Sequence, residues 1–111
     1  MNQLFLTVIF LIVIQSAAAQ KLFSVQYENQ ADLKIFVVDY LNQADLKVYK
    51  VGYRNQAQEN KGLWFFTTYA NQSDFTVFFV EYQNQADLTI FFVDYVNQAG
   101  WLNRSKQHLL Y

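Results

Sequence analysis

The stretch Leu33–Tyr40 reads LKIFVVDY, and the five residues after it read LNQAD. Its β-branched and aromatic residues, followed by a turn that contains Asn and Asp, indicate a β-strand. Side chains in a strand alternate between two faces, so Leu33 and Ile35 share one face and Phe36 lies on the other. Because both faces are largely apolar, we expect the strand to be covered on both sides, as in layered or closed all-β structures.

This stretch belongs to a repeat that fills most of the chain. The dipeptide Asn-Gln begins at positions 29, 42, 55, 71, 84 and 97, so the steps are 13, 13, 16, 13 and 13 residues. An aromatic-x-Val/Thr-x-Tyr pattern precedes every copy and ends at Tyr27, Tyr40, Tyr53, Tyr69, Tyr82 and Tyr95. Four copies continue to an aspartate, at Asp32, Asp45, Asp74 and Asp87. A 13-residue unit with a polar gap cannot maintain the apolar stripe of a helix, so the spacing predicts six to seven short strands.

The predicted fold is therefore a compact all-β repeat domain built from 13-residue units. One unit cannot bury its own two faces, so the units must pack on each other. A plain antiparallel stack would leave two exposed edges, which closure or interlocking would remove. With no Pro and only three Gly, we expect the Asn and Asp side chains to make the turns.

The first segment has the features of a signal peptide. Leu4–Ile14 reads LFLTVIFLIVI, too short to span a bilayer, and three alanines at positions 17–19 follow it. We therefore expect residues 1–19 to be cleaved and residues 20–111 to form a single domain that is secreted, periplasmic or on the cell surface, with no stable membrane insertion. A buried strand or a short membrane anchor is the alternative.

Composition excludes several classes of function. The chain of 111 residues has 8 Lys and Arg against 9 Asp and Glu, so it lacks the basic field that nucleic-acid binding requires. Without Cys there is no disulfide framework, thiol nucleophile or thiolate metal site. We expect no cofactor and no nucleic-acid partner.

The repeat resembles the septoil-knot domain family. The residues that carry the likeness are YLNQADLKVY at positions 40–49 and NQAGWLNRS at positions 97–105. The similarity extends over about residues 23–106. It implies a compact all-β domain whose backbone forms a seven-crossing torus knot, and it implies no biochemical activity and no catalytic residues.

The recurring side chains each allow two interpretations. The four aspartates could bind calcium, but each turn offers a single carboxylate, so we favour turn capping and expect no metal site. The six tyrosines could present flat rings to a sugar, but we favour cross-strand packing with each hydroxyl at a wet edge.

Catalytic residues are hard to assign. His108 is the only imidazole, and no nucleophile motif surrounds Ser24, Ser73 or Ser105. The acidic residues Asp39, Glu81 and Asp94 could pair as acid and base, but the equivalent position also holds Gly and Thr, which indicates a solvated strand end. We expect that the protein is not an enzyme.

Two irregular segments are better candidates for a specific role. The insertion Gln58–Gly62 breaks the period, and it is either a binding loop or a longer connection that the path of the chain requires. The tail Trp101–Tyr111 carries Arg104, Lys106 and His108, and it either locks the fold or contacts an anion.

The leading hypothesis is an exported non-enzymatic module that is structural or binds an unknown protein or glycan as a monomer or small homo-oligomer. An amyloid-like or surface-polymer subunit is the alternative, since Asn/Gln-rich repeated strands are typical of such fibres. A carbohydrate-binding repeat domain is the third possibility.

Overall fold

The computed structural model describes residues 20–110, so the predicted signal peptide lies outside the described part. Seven strands occur there: β1 (Lys21–Ser24), β2 (Leu33–Val37), β3 (Leu46–Lys50), β4 (Leu63–Phe66), β5 (Phe75–Phe79), β6 (Leu88–Phe92) and β7 (Gly100–Trp101). A short 3-10 helix follows each of β1 to β6: Glu28–Gln30, Leu41–Gln43, Arg54–Gln56, Ala70–Gln72, Gln83–Gln85 and Val96–Gln98. A longer one, Arg104–Leu110, ends the described chain. The all-β prediction is confirmed.

Strands β1 to β6 form a closed barrel in which each strand runs parallel to both of its neighbours. The order round the barrel is β4-β1-β5-β2-β6-β3, and a pairing between β3 and β4 closes it. The short β7 pairs antiparallel with the start of β3. Closure removes the exposed edges that an open stack would have.

From β1 to β6 the chain winds one and a half times round this barrel. Strands β1, β2 and β3 occupy alternate places, β4 lies beside β3, and β5 and β6 then fill the gaps between the first three strands. Each connection from β1 to β6 therefore advances two places, except the connection from β3 to β4, which advances one. The second half of the chain is interleaved with the first.

The connections are short for parallel strands. Eight residues join β2 to β3, and they must return from the end of one strand to the start of the next. A five-residue strand is about 17 Å long, and eight extended residues reach at most about 29 Å. The return path is therefore nearly direct, with room for one 3-10 turn.

Backbone hydrogen bonds make these turns. In the connection after β2, the Gln43 N–H donates to the Tyr40 carbonyl at 3.0 Å and the Ala44 N–H to the Leu41 carbonyl at 3.2 Å. Ala44 is buried, because the turn faces the barrel wall there. The prediction that Asn and Asp side chains make the turns is wrong. Of the described residues other than Gly, Glu59 alone has a positive φ.

The strand register aligns the inward-facing side chains. In four of the six barrel pairings the first residue of one strand pairs with the third of its neighbour, as Leu33 does with Val77. This even shift keeps apolar side chains on the same face. The interior is filled by Leu22, Leu33, Ile35, Leu46, Val48, Trp64, Val77, Leu88, Ile90 and Leu110. Each three-residue 3-10 helix lies against a strand, and Val38, Val51 and Val80 on the outer side are buried.

Candidate binding surface

Among the described residues, the exposed aromatic side chains are the six repeated tyrosines, and we call them the tyrosine belt. Each lies three residues after the end of its strand, in extended conformation, immediately before a 3-10 helix. Their exposed fractions range from 63% for Tyr27 to 71% for Tyr53. Because β1 to β6 are parallel, the six rings occupy equivalent positions round the barrel.

The barrel order sets which tyrosines are neighbours. Round the circumference the sequence is Tyr69, Tyr27, Tyr82, Tyr40, Tyr95 and Tyr53. The connections after β3 and β4 contact each other, since an Arg54 guanidinium nitrogen donates to Gln72 Oε1 at 3.3 Å. Tyrosines that are far apart in sequence are therefore neighbours in the barrel order.

The expected cross-strand packing of these rings is wrong. The described residues contain two close ring pairs, Trp64 with Phe66 and Phe66 with Phe79, and neither includes a belt tyrosine. The reason is the position of the tyrosine, which comes after the chain has left the wall of the barrel. Its ring therefore faces solvent rather than a neighbouring strand.

The four repeated aspartates bind backbone, but on a neighbouring strand rather than in their own turn. Asp32 Oδ2 accepts the N–H of Thr76 at 3.0 Å, and Asp45 Oδ2 accepts that of Thr89 at 3.0 Å. In the same way Asp74 accepts the N–H of Lys21 and Asp87 that of Lys34, at 3.0 and 2.9 Å. The register shift produces these pairs, because it places the residue before one strand beside the second residue of its neighbour, or beside the first in the case of Lys21 in β1.

These aspartates therefore link neighbouring strands of the barrel wall by hydrogen bonds. In the order β1, β5, β2, β6, β3, each strand after the first is fastened to the previous one by the carboxylate at its start. The hydroxyls of Thr76 and Thr89 strengthen two of these contacts, by accepting the N–H of Asp32 and Asp45 at 3.1 and 3.0 Å. Sequence reasoning missed the two threonines, although they share one position of the 13-residue unit.

Two shallow grooves lie between connections. One, of about 660 Å³, is lined by Leu41, Lys47, Phe91, Phe92, Asp94 and Asn97, among others. The other, of about 570 Å³, is lined by Glu28, Asn29, Ala31, Asp32, Lys34 and Asp87. Both combine side-chain amides, carboxylates and one lysine. They are within the size range of small-molecule sites, but both open to solvent.

The two irregular segments meet at the end of the barrel where the strands begin. Asn60, in the insertion, donates from Nδ2 to the Gln107 carbonyl at 3.0 Å and accepts the Trp101 Nε1–H on its own carbonyl at 2.9 Å. The insertion lies in the one connection that advances a single place. A Cβ at Gly62, where φ is 88°, would collide with the Lys47 carbonyl oxygen. This supports the interpretation of the insertion as a connection that the chain path requires.

The tail locks the same end. Leu110 is fully buried in the interior, and its carbonyl accepts a hydrogen bond from Gln20 Nε2 at 3.2 Å. Lys106 Nζ donates to the Asp87 carbonyl at 2.9 Å, whereas Arg104 and His108 are exposed. These contacts support the interpretation of the tail as a terminal lock.

The opposite end of the barrel is open. The last residues of the six strands face it: Ser24, Val37, Lys50, Phe66, Phe79 and Phe92. The Lys50 ammonium lies 5.0 Å from the ring centroid of Phe92 and 5.9 Å from that of Phe66. These contacts were also missed from sequence, although the six residues share one position of the repeat.

Of the candidate catalytic side chains, Ser105 and His108 line one pocket with Asp87 and Lys106, but two of the serine hydroxyls are bound locally. Ser73 Oγ donates to the Ala70 carbonyl at 2.7 Å, and Ser105 Oγ donates to Asn103 Oδ1 at 2.6 Å. Between residues 20 and 110, no group of three or more His, Cys, Asp or Glu side chains could hold a metal ion. The same residues contain no helix that is long and apolar enough to cross a membrane.

Comparison with known proteins agrees with this architecture. The model of the 7(1) septoil knot domain matches residues 19–102, which include all of the barrel strands. The same comparisons find no matching curated protein and no matching solved structure. A chain that winds one and a half times round one barrel, with its second half interleaved with its first, fits the name of that family. The chain belongs to the septoil-knot domain family.

Proposed function

We propose that this protein is an exported, non-enzymatic binding module whose tyrosine belt contacts an extended saccharide polymer. The observation that supports the proposal is the exposure of six equivalent aromatic rings, each at least 63% accessible, on a closed scaffold. Large rings that gain nothing from the core of the fold are costly to display, so six exposed rings at one level of the barrel favour an interaction surface.

A saccharide suits this surface better than a peptide. Each of β1 to β6 is paired on both sides, so these strands offer no edge to which a peptide could add. The belt offers flat rings beside exposed Asn and Gln amides, such as Asn42 and Gln43 after Tyr40. Aromatic rings stack on the apolar faces of sugars, and amides bond their hydroxyls. A repetitive ligand would also engage several rings at once, which multiplies weak contacts.

The paired strands also argue against the polymer-forming alternative. Fibres grow by adding strands to free edges, and closure of β1 to β6 leaves none in the barrel wall. The local hydrogen bonds of the Ser73 and Ser105 hydroxyls and the exposure of His108 favour a non-enzymatic role. The apolar segment before Gln20 supports export. If the protein is exported, the chain recovered from a secreting host should begin at Gln20. An intact mass that retains residues 1–19 would contradict export.

The belt is tested by retention on insoluble cellulose and chitin, with protein recovered from a secreting host. Alanine at all six belt tyrosines should lower retention about tenfold, because each ring contributes a modest part of the affinity. Phenylalanine at the same six positions should preserve retention, since it keeps the rings.

The matched control is Leu102→Ala, which truncates an exposed apolar side chain outside the belt. Size-exclusion profiles identical to the wild type would show that the variants are folded. Wild-type protein retained on neither polysaccharide, or retention unchanged in the six-alanine variant, would refute the proposal.

A further inference from the structure

The wall of the barrel is built entirely from pairings between two parts of the chain. We call residues 20–51, with β1 to β3, the first half, and residues 60–110, with β4 to β7, the second half. All six pairings of the barrel wall join a strand of the first half to a strand of the second. Within residues 20–110 no two strands of the same half are paired, so neither half is a sheet by itself.

The other contacts of the barrel follow the same division. The ten buried side chains of the interior come in equal number from the two halves. Each of the four repeated aspartates binds a backbone N–H of the opposite half. At the closed end, Gln20 Oε1 accepts the Trp64 Nε1–H at 3.0 Å, and Gln20 Nε2 donates to the Leu110 carbonyl at 3.2 Å. A second copy of the chain carries the same groups and could supply all of these contacts.

The joint between the halves, residues 52–59, has few contacts with the rest of the barrel. Before it, the Val51 N–H donates to the Trp64 carbonyl at 2.9 Å, and after it Asn60 is bound to the tail of the second half. Of the eight residues of the joint, Ala57 alone is buried. Stretched out, the joint reaches about 30 Å, whereas a five-residue strand is about 17 Å long. It is therefore long enough to leave one barrel and enter another beside it.

The joint also contains a strained residue. It lies at the one irregular step of the repeat, which is 16 residues instead of 13. Glu59 has a φ of 62°, in the left-handed region that residues other than glycine rarely adopt. Such a conformation costs free energy and persists only where the surrounding structure imposes it. An extended path between two barrels would release this strain.

We propose that two copies of this chain exchange halves, so that the first half of each pairs with the second half of the other. This inference goes beyond the proposed function and does not depend on it. Each barrel of the dimer keeps all six pairings, and the joint alone changes its path. The second copy also contributes to the belt, because each barrel takes Tyr27 and Tyr40 from one chain and Tyr69, Tyr82 and Tyr95 from the other.

The concentration at which the chain folds decides between the two forms. The second half of the same chain competes with that of another copy, and a short joint gives it an effective concentration on the order of 1 mM. Once either form has folded, the halves separate only if all six pairings break. The dimer therefore forms during folding and persists when the folded protein is diluted.

The first test refolds residues 20–111 from urea at two concentrations and measures the mass by size-exclusion chromatography with light scattering. We expect monomer almost entirely after folding at about 10 µM, and about half of the protein as dimer after folding at about 1 mM. The dimer should survive dilution. The same result at both concentrations, or a dimer that dissociates on dilution, would refute the exchange.

Two variants of one residue test the joint. Glu59→Gly suits the positive φ and should lower the dimer fraction. Glu59→Pro cannot adopt that φ and should raise the dimer fraction. Equal dimer fractions in the wild type and Glu59→Gly would show that strain in the joint does not drive the exchange.

A disulfide distinguishes exchanged halves from two intact barrels in contact. The chain has no Cys, and Lys47 in the first half is the strand partner of Phe91 in the second. Neighbouring strands lie within the distance that a disulfide spans, so Lys47→Cys, Phe91→Cys can join the halves. After oxidation, the isolated dimer should keep twice the mass of one chain on a non-reducing denaturing gel, and the isolated monomer should not. A dimer that separates into single chains on this gel would refute the exchange.

Discussion

At the end where the strands begin, the C-terminal segment fills the barrel, whereas at the end where they finish, the last side chains meet solvent. Leu110 enters the interior at the first end and is completely buried. At the second end Phe66, Phe79 and Phe92 are half-buried, and the exposed Lys50 lies over two of these rings. The same six strands are therefore closed by a segment on one side and only partly covered on the other.

The two ends differ in whether repeated or unique parts of the chain form them. The wall of the barrel and the open end use side chains from the 13-residue unit. The closed end uses the parts of the chain that depart from it, namely the insertion with Asn60 and the segment after Trp101. Repeat proteins in general need unique terminal elements to cover the ends of the stack. Here the insertion and the C-terminal segment cover one end of the barrel.

The largest expected effect is at the closed end. Leu110→Ala should lower the free energy of unfolding by about 3 kcal/mol, because a fully buried leucine leaves a cavity. Phe92→Ala at the open end should cost less, about 1 to 2 kcal/mol, because part of its ring is already in solvent. Urea denaturation of both variants measures the difference. An equal or greater loss for Phe92→Ala would contradict the contrast between the ends.

A smaller difference is expected between two aspartates. Asp45, at the closed end, accepts hydrogen bonds from the Thr89 N–H and Asn103 Nδ2, both at 3.0 Å. Asp45→Ala should destabilise the protein by about 1 to 3 kcal/mol, since it leaves these donors unsatisfied. Asp39→Ala, beyond the end of β2, should change stability by no more than about 0.5 kcal/mol. Faster amide hydrogen exchange at Thr89 in Asp45→Ala, but not in Asp39→Ala, would show that the lost hydrogen bond causes the destabilisation. Similar exchange at Thr89 in both variants would contradict this explanation.

The smallest expected effect is at the open end. Lys50→Met keeps the apolar stem but removes the ammonium above Phe92 and Phe66. An exposed cation–π contact contributes about 0.5 to 1 kcal/mol, so the melting temperature should fall slightly. Lys61→Met, which breaks an exposed ion pair with Glu59, is the control and should cause a still smaller change. If Lys50→Met destabilised the protein as much as Leu110→Ala, the open end would be as important to the fold as the closed one.

Much of the local structure could be predicted from sequence. Period two in Leu33–Tyr40 identifies the strand and its inner face, and the 13-residue step identifies the number of strands. The direction of the strands could not be predicted, because an eight-residue connection does not show whether the chain reverses or returns. The prediction that Asn and Asp side chains make the turns was wrong for a related reason. A nearly direct return path leaves room for one 3-10 turn, which backbone hydrogen bonds stabilise.

The candidate site was harder to predict, because its residues meet through the order of strands in the barrel. The sequence places Tyr40 after β2, but nothing in it places Tyr40 between Tyr82 and Tyr95 in the barrel order. Nor does it show that Asp32 would bind Thr76, 44 residues away. The exposure of the tyrosines depends on where the chain leaves the wall, which the period alone does not specify.

The interleaved strands have a consequence for how the protein folds. Leu33 pairs with Val77 and Leu46 with Ile90, while β3 with β4 is the only barrel pairing between strands that are consecutive in the chain. During synthesis the first three strands would therefore have few partners until the second half of the chain emerges. Such a dependence on distant contacts slows folding, because long loops must close first. A chain that remains unfolded until it is nearly complete is in a suitable state to be threaded through a membrane channel, as the proposed export requires.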